Sequence, residues 1–189
     1  MKTFELTGTP RSEYGKKAAK AFRKENLVPC NLYGNGENVT FVVTVDDVRK
    51  LIYTPDTMAV ALTIGDAKKM AVVKELQFHP VTEELFHIDF LEVTEKKPVT
   101  VAIPVQLVGH AEGVKAGGKL SLEMKKLKVN GIYTEIPHRV EIDVTNLGLG
   151  KKIAVADVQL EGLKLMNPAD ACVAQVKATR ASQQAAAGK

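Results

Sequence analysis

The chain has 189 residues, of which 45% are hydrophobic and 25% are charged. These proportions are ordinary for a globular protein, argue against wholesale disorder, and allow one or two domains. The 26 basic and 22 acidic residues give a formal net charge of +4, which permits an anionic partner without requiring one.

The first half of the chain alternates between short strands and two helices. Apolar alternation and β-branched residues predict the strands, and turn residues mark their ends. Strands are predicted at 4–7, 39–45, 58–64, 70–78 and 86–93. An apolar run with Pro29 occupies 27–33, and helices are predicted at 17–25 and 46–53, the second capped by Thr44.

The second half is nearly all β in pattern. A charged segment at 94–98 ends in proline and is predicted to be a linker. Glycine turns then separate short strands, a spacing typical of a small sandwich or barrel. These strands are predicted at 99–108, 127–129, 140–144, 153–155 and 172–176. The resulting domains are 1–95 and 96–178, followed by an Ala/Gln/Ser-rich tail at 179–189 that is predicted to be disordered.

Charge is distributed unevenly along the chain. Residues 1–24 contain seven basic and two acidic side chains, and residues 25–95 contain five and twelve. Residues 96–189 contain fourteen and eight. Such asymmetry indicates a nucleic-acid face on an otherwise solvated domain, and we expect the carboxylates of 25–95 to lie away from that face.

The first predicted helix is strongly basic on one side. At about 100° per residue, five cations share an arc of roughly 120°. They are Lys16, Lys17, Lys20, Arg23 and Lys24. The opposite arc holds Ala18, Ala19, Ala21 and Phe22, which we expect to face a core. A solvated face is one interpretation; a phosphate-binding face is the other, supported by Arg11 upstream and the aromatic Tyr33 downstream.

Polar residues cluster on two predicted strands. Gln77 and His79 share one strand face, and His87 and Asp89 share another between large apolar residues. Such groups can contact base edges or a 2′-hydroxyl. Three alternatives remain: a metal site formed by His79, His87 and Asp89, a catalytic base with its orienting carboxylate, and a purely structural pair.

The segment 113–120 resembles a phosphate-binding loop without completing it. The GxxxxGK spacing is present, but Leu120 stands where a serine or threonine hydroxyl would bind Mg²⁺. A structural glycine-rich hairpin or surface loop is therefore favoured over nucleotide hydrolysis. No metal or cofactor is expected.

The chain shows no signal for export or membrane insertion. The N-terminus has no apolar run with a cleavage site, and the longest uncharged stretch, 98–111, contains Pro104 and is too short to span a bilayer. Cys30 and Cys172 are far apart in sequence, which favours two reduced thiols in a cytosolic protein over a disulfide joining the two ends.

Several short motifs, in order, resemble a known family. They are Arg11-x3-Gly15, Pro29-x3-Tyr33-Gly34, Gln77-x-His79-Pro80, His87-Ile88-Asp89-Phe90 and, further on, Gly113–Gly118 with Val140–Val144. This order is similar to that of the bacterial large-subunit ribosomal proteins of the L twenty-five family, whose longer members are called general stress protein CTC.

The resemblance implies a mainly β fold with a few helices (α+β). An N-terminal β-barrel-like domain would bind the loop E region of 5S rRNA, and a C-terminal all-β domain would reach other parts of the central protuberance. The residues implied to face RNA are Arg11, Lys20, Arg23, Tyr33, Gln77, His87 and Asp89. Lys16, Lys17 and His79 join them as candidates because they share the helix arc or the strand face.

The sequence therefore predicts a non-catalytic constituent of the bacterial large ribosomal subunit, located in the cytoplasm. Its expected partners are 5S rRNA with neighbouring rRNA and ribosomal proteins, and neither DNA nor a membrane. The alternative from another class is a stress-linked interaction protein that contacts the ribosome only occasionally. An enzyme that uses the phosphate-loop lookalike is the remaining rival.

Overall fold

A computed structural model describes residues 1–160 and 162–179. The first part of the chain contains β1 (Lys2–Pro10), α1 (Lys16–Lys24), β2 (Leu27–Gly34), β3 (Glu37–Thr44), α2 (Val45–Tyr53), β4 (Met58–Ile64), β5 (Ala67–Phe78) and β6 (Leu85–Glu92). The second part contains β7 (Val99–Val108), α3 (Glu112–Lys115), β8 (Lys119–Leu122), β9 (Lys126–Gly131), β10 (Val140–Asp143), β11 (Lys152–Ala154), β12 (Lys164–Leu165) and β13 (Cys172–Lys177).

The first six strands close into a barrel in the order β1-β3-β2-β6-β5-β4. Two pairs, β1 with β4 and β2 with β6, are parallel, and the other pairs are antiparallel. Closure removes the sheet edges that would otherwise be open to further pairing. Pro29 lies inside β2 without disrupting it, because β6 pairs with β2 only from Cys30 onward and one edge of Pro29 stays unpaired.

Alternation fixes which side chains fill the barrel. In β6, Ile88 and Phe90 are fully buried, whereas His87 and Asp89, which alternate with them, point outward. Phe90 meets Phe41 of β3 with ring centroids 5.7 Å apart. The outward-facing polar residues are therefore held on a rigid, densely packed wall.

Helix α2 begins where its sequence predicts. The Thr44 hydroxyl accepts a hydrogen bond from the backbone N–H of Asp47 at 3.3 Å. Asp46 and Asp47 occupy the positive end of the helix dipole, and the buried Val48 and Leu51 pack into the barrel core. This arrangement confirms the predicted cap.

The second part of the chain forms two smaller sheets. One has four strands in the order β10-β7-β9-β12, and the other has three in the order β11-β13-β8. Their buried side chains include Ile103, Leu127, Ile136 and Val173. The predicted strands are present, while α3, β8 and β12 lack a sequence pattern strong enough to predict them. The mainly β fold with few helices is confirmed.

The glycines of the phosphate-loop lookalike are explained by close packing. A Cβ on Gly113 would lie 2.7 Å from backbone atoms of Gly148 and Leu149. A Cβ on Gly118 would lie 2.5 Å from a methyl group of Val176. The segment contains the one-turn helix α3 followed by β8, so it is not the glycine-rich hairpin that was one expected form.

Backbone contacts divide the chain into two compact units. The first comprises Met1–Val99 with Ile132–Thr134, and the second comprises Thr100–Gly131 with the chain from Glu135. The domain limits 1–95, 96–178 and 179–189 remain predictions, and residues 180–189 of the predicted tail lie outside the described residues. Across 1–160 and 162–179, no helix has the length and apolar character needed to span a membrane.

Candidate nucleic-acid interface

The polar residues of β5 and β6 form one surface instead of two. Gln77 lies directly opposite His87, and Glu75 lies directly opposite Asp89 in the antiparallel register. Because opposed residues share a face, these side chains all point outward on the same barrel wall. The expectation of two separate polar faces is wrong, since strand pairing merges them; we name this outer wall of β2, β5 and β6 the barrel face.

Arg11 is anchored at the edge of the barrel face. Its backbone N–H donates to the Thr40 carbonyl at 3.2 Å, which fixes the chain just after β1. A terminal guanidinium nitrogen lies 3.5 Å from the Asn31 side-chain oxygen, and the guanidinium carbon is 5.6 Å from the centre of the Tyr14 ring. Half-buried and held on two sides, this guanidinium keeps donors available for an anion.

Arg23 reaches the barrel face from helix α1. Its guanidinium lies 4.4 Å from the centre of the Phe86 ring and donates to the Phe86 carbonyl at 3.1 Å. Arg23 is therefore half-buried against β6, unlike the four lysines that share its arc of the helix. Ala21, expected to face the core, is exposed.

The four helix lysines are solvent-exposed. They are Lys16, Lys17, Lys20 and Lys24. Among the residues that the structure describes, none of them forms an ion pair with a carboxylate. Ala18 is buried beneath them, so the helix is fixed to the barrel while its cationic side stays open to solvent. An exposed, unneutralised row of this kind attracts a polyanion.

His87 and Asp89 form the centre of the barrel face. His87 Nδ1 lies 3.3 Å from Asp89 Oδ1, and the two side chains are 17% and 23% exposed. Burial lowers the pKa of His87, and the nearby Arg11 and Arg23 lower it further against the opposing effect of Asp89. His87 is consequently neutral at physiological pH, so its imidazole can both donate and accept a hydrogen bond.

Tyr33 extends the barrel face along β2. It is half-buried and lies two residues from Asn31, which pairs with Asp89. Burial raises the pKa of its hydroxyl, and the carboxylates of Asp89 and Glu75 raise it further. The phenol thus stays protonated and can act as a donor beside a flat ring surface.

His79 has a different surrounding from the other candidates. Its Nδ1 accepts hydrogen bonds from the backbone N–H groups of Val81 and Thr82, at 3.2 and 3.0 Å. Its ring meets the Phe86 ring edge-on with centroids 5.2 Å apart. These contacts close the turn between β5 and β6 and support the ring on which Arg23 lies, so they give His79 a structural role in the turn.

The described residues give no support to a metal site or to a catalytic nucleophile at this cluster. Within residues 1–160 and 162–179, no three metal-ligating side chains come together. Cys30 is a free thiol buried inside the barrel, and burial raises its pKa so strongly that it is not a nucleophile. Cys172 is also free. Glu75, however, lies opposite Asp89 on the barrel face, so this face also contains carboxylates of the acidic segment 25–95.

Four residues of the barrel face and its edge are not predicted from the sequence. Asn31 and Phe86 hold the two arginines, Glu75 pairs with Asp89, and Tyr14 is a 67% exposed aromatic ring beside Arg11. Only Tyr14 carries a sequence signal, its spacing of three residues from Arg11. The others depend on strand register, which is a long-range property.

Comparison with known proteins gives consistent matches along the chain. A family model described as "Ribosomal L25p family" matches residues 6–90, and one described as "Ribosomal protein TL5, C-terminal domain" matches residues 98–180. The "Large ribosomal subunit protein bL25" of Porphyromonas gingivalis is 59% identical over 191 residues, covering 100% of both chains. Proteins of the same name from Parabacteroides distasonis and Azobacteroides pseudotrichonymphae are 54% and 52% identical, covering 99% and 97% of both chains.

Proposed function

The chain belongs to the family of the large ribosomal subunit protein bL25, and from this membership we propose that its barrel face binds 5S rRNA. Membership makes the chain a structural constituent of the bacterial large ribosomal subunit, within the cytoplasmic ribosome, with roles in translation and rRNA binding. The family is not one of enzymes, which removes the phosphate-loop hypothesis. The proposal goes further by naming 5S rRNA, its loop E region and a position in the central protuberance.

The observation that supports the proposal is that positively charged groups and groups able to recognise base edges lie together on the barrel face. Two guanidiniums, from Arg11 and Arg23, flank the neutral imidazole of His87 and the carboxylate of Asp89. Guanidiniums bind phosphate oxygens, which positions an RNA without reading its sequence. Imidazole and carboxylate groups discriminate base edges and 2′-hydroxyls. The barrel face thus has both parts of a specific RNA site.

Each candidate residue takes a defined role in this proposal. Arg11, Arg23 and the α1 lysines bind phosphates, while Gln77, His87 and Asp89 contact sugar or base edges. Tyr33 offers its ring and hydroxyl beside them. His79 positions the turn and the Phe86 ring, since its Nδ1 accepts from two backbone donors, and its second ring nitrogen remains a candidate contact to RNA.

The test compares two arginine variants of the full-length chain. Arg23→Ala removes the guanidinium that lies on Phe86, whereas Arg49→Ala removes an exposed guanidinium from helix α2. Binding to 5S rRNA is measured over a salt series. We expect Arg23→Ala to weaken binding by about 1–3 kcal/mol and to lower the salt slope by about one.

Arg49→Ala is the matched control, since it removes the same charge from another helix of the same barrel. It is expected to leave the affinity nearly unchanged. A 5S rRNA in which loop E is replaced by a regular helix should bind the unaltered chain weakly. Equal losses in both arginine variants, or equal binding of both RNAs, would place the site elsewhere.

A further inference from the structure

Three lysines share the outer face of the four-stranded sheet in the second unit. In β9, Lys126 and Lys128 are exposed, whereas the alternating residues Leu127 and Val129 are buried. Lys164 of β12 lies directly opposite Asn130 of β9. Alternate residues of a strand point to one side, and opposed residues share that side, so the three ammonium groups belong to one surface. We name it the lysine stripe.

The lysine stripe is not neutralised by its own sheet. Among the described residues, none of the three lysines forms an ion pair with a carboxylate. Strand β7, which lies next to β9, contains no charged residue between Val99 and Val108. The acidic Glu141 and Asp143 belong to β10, on the far side of β7, and Asp143 is already bonded to Thr145. The positive charge therefore remains available to an outside group.

The strand beside the lysine stripe presents only uncharged side chains. The residues of β7 that share this face are Thr100, Ala102, Pro104, Gln106 and Val108, and the first three have short side chains. Asn130 donates to the Thr100 hydroxyl at 2.9 Å, which ties the two strands together at this point. Short, uncharged side chains next to flexible cations let an extended polyanion approach closely.

We propose that the lysine stripe binds the phosphate backbone of an RNA helix, as a second RNA contact independent of the barrel face. Lys126 and Lys128 are separated by about 6.6 Å along the strand, so each can bind a different phosphate. The face has no arginine fork and no aromatic ring among Lys126, Lys128, Asn130 and Lys164. Binding is consequently independent of base sequence.

The composition of this face favours RNA over a protein partner. Protein interfaces are depleted in lysine and enriched in aromatic residues at their centres. The lysine stripe has three lysines and no aromatic residue, and the exposed Met166 opposite Lys128 is the one large apolar side chain beside it among the described residues. A phosphate backbone also releases condensed counterions when lysines bind it, which gives a favourable term that a neutral protein surface does not supply.

The experiment uses two full-length triple variants with the same change in charge. The first replaces the stripe by Lys126→Gln, Lys128→Gln and Lys164→Gln. The matched control replaces three other exposed lysines of the same unit, by Lys115→Gln, Lys151→Gln and Lys152→Gln. Each is titrated against a regular RNA duplex that lacks loop E, and against 5S rRNA, over a salt series. Thermal unfolding verifies that both variants keep the fold.

We expect the stripe variant to lower the salt slope on the RNA duplex by about two to three and to weaken binding at least about tenfold at low salt. The control variant should have a clearly smaller effect. Equal effects of both variants would reduce the result to net charge and overturn the proposal. Unchanged duplex binding together with loss from assembled large subunits would also overturn it, in favour of an acidic protein partner.

The two RNA proposals fail in distinguishable ways. Arg23→Ala tests the barrel face on 5S rRNA, and the stripe variant tests the second unit on the duplex. If Arg23→Ala has no effect on 5S rRNA binding, the barrel-face proposal is lost while the lysine stripe stands on its own measurement. If the stripe variant binds the RNA duplex as the unaltered chain does, while Arg23→Ala weakens 5S rRNA binding, the lysine-stripe proposal is lost and the barrel-face proposal stands.

Discussion

His87 combines burial with a mixed electrostatic environment. The groups that surround it are the carboxylate of Asp89 and the guanidiniums of Arg11 and Arg23, with the uncharged Gln77 directly across the strand pair. Burial and the two arginines outweigh the carboxylate, so the pKa of the folded state lies below the ordinary value of 6.5. An unfolded chain therefore binds a proton at His87 at a higher pH than the folded chain does.

This difference makes the fold sensitive to mild acid. The stabilising contribution of His87 is complete above about pH 6.5 and is lost as the pH falls through the unfolded value towards the folded one. We expect His87→Gln to flatten the fall in unfolding free energy between about pH 7.5 and about pH 5, measured by urea denaturation. The control is His110→Gln, which replaces an exposed histidine of the second unit. Parallel pH curves for the unaltered chain and His87→Gln would contradict the expectation.

At the residue scale, the sequence predicts the members of the barrel face better than their partners. Alternation alone places His87 and Asp89 together on β6, because it depends on neighbouring residues. Alternation cannot bring Gln77 to the same face as His87, since that depends on the register between β5 and β6 and on the bulges in it. His79 shares the strand pattern of Gln77, yet it sits in the turn, where local hydrogen bonds determine its role.

At the scale of secondary-structure elements, the packing of β1 against β3 depends on the small size of Gly8. Gly8 lies over the ring of Phe41, and a Cβ on Gly8 would clash with the Cδ2 atom of that ring. Phe41 is completely buried and packs on Phe90, so its ring has little room to move aside. The glycine is needed here for close approach, not for an unusual backbone angle.

We expect Gly8→Ala to destabilise the barrel by about 1–3 kcal/mol, as overpacking of a filled core does. Chemical denaturation of the full-length chain measures this change. The double variant Gly8→Ala with Phe41→Leu should recover part of the loss relative to the sum of the single variants, because leucine frees the contested space. If the double variant loses as much unfolding free energy as the two single variants together, the alanine acts on strand β1 itself and not through the Phe41 ring.

Elements differ in how well local sequence predicts them. Helix α2 follows from its cap, its acidic first turn and its apolar stripe, all within ten residues. Strand β12 has only two residues, and its formation depends on pairing with β9. Helix α3 has one turn and lies among glycines whose packing is settled by distant atoms. Short elements of this kind are products of tertiary contacts and lack a local signal.

At the scale of the whole molecule, closure of the barrel depends on pairings between distant strands. Lys2 pairs with Met58 and Gly8 with Ile64, so β1 and β4 run parallel across more than fifty residues of chain. Hairpin signals predict the β4–β5 pair, because a short turn joins those strands. No turn joins β1 to β4, and the sequence therefore predicts a barrel-like domain only through the family resemblance.

A closed barrel with its own core should fold without the rest of the chain. All six strands find their partners within residues 1–98, and the core cluster of the barrel lies entirely in that range. We expect the fragment 1–98 to unfold cooperatively and to bind 5S rRNA with nearly the affinity of the full chain. The fragment contains 14 basic and 14 acidic residues, so net charge supplies no attraction.

If this formally neutral fragment binds 5S rRNA, the position of its charged side chains, and not its net charge, must account for the binding. The α1 lysines and the two anchored arginines neutralise a handful of phosphates, which predicts a salt slope of roughly −3 to −5. The fragment 99–189 is the comparison, and it should bind an RNA duplex through the lysine stripe without preferring loop E. A folded fragment 1–98 that fails to bind 5S rRNA, beside a fragment 99–189 that binds it, would move the 5S site to the second unit.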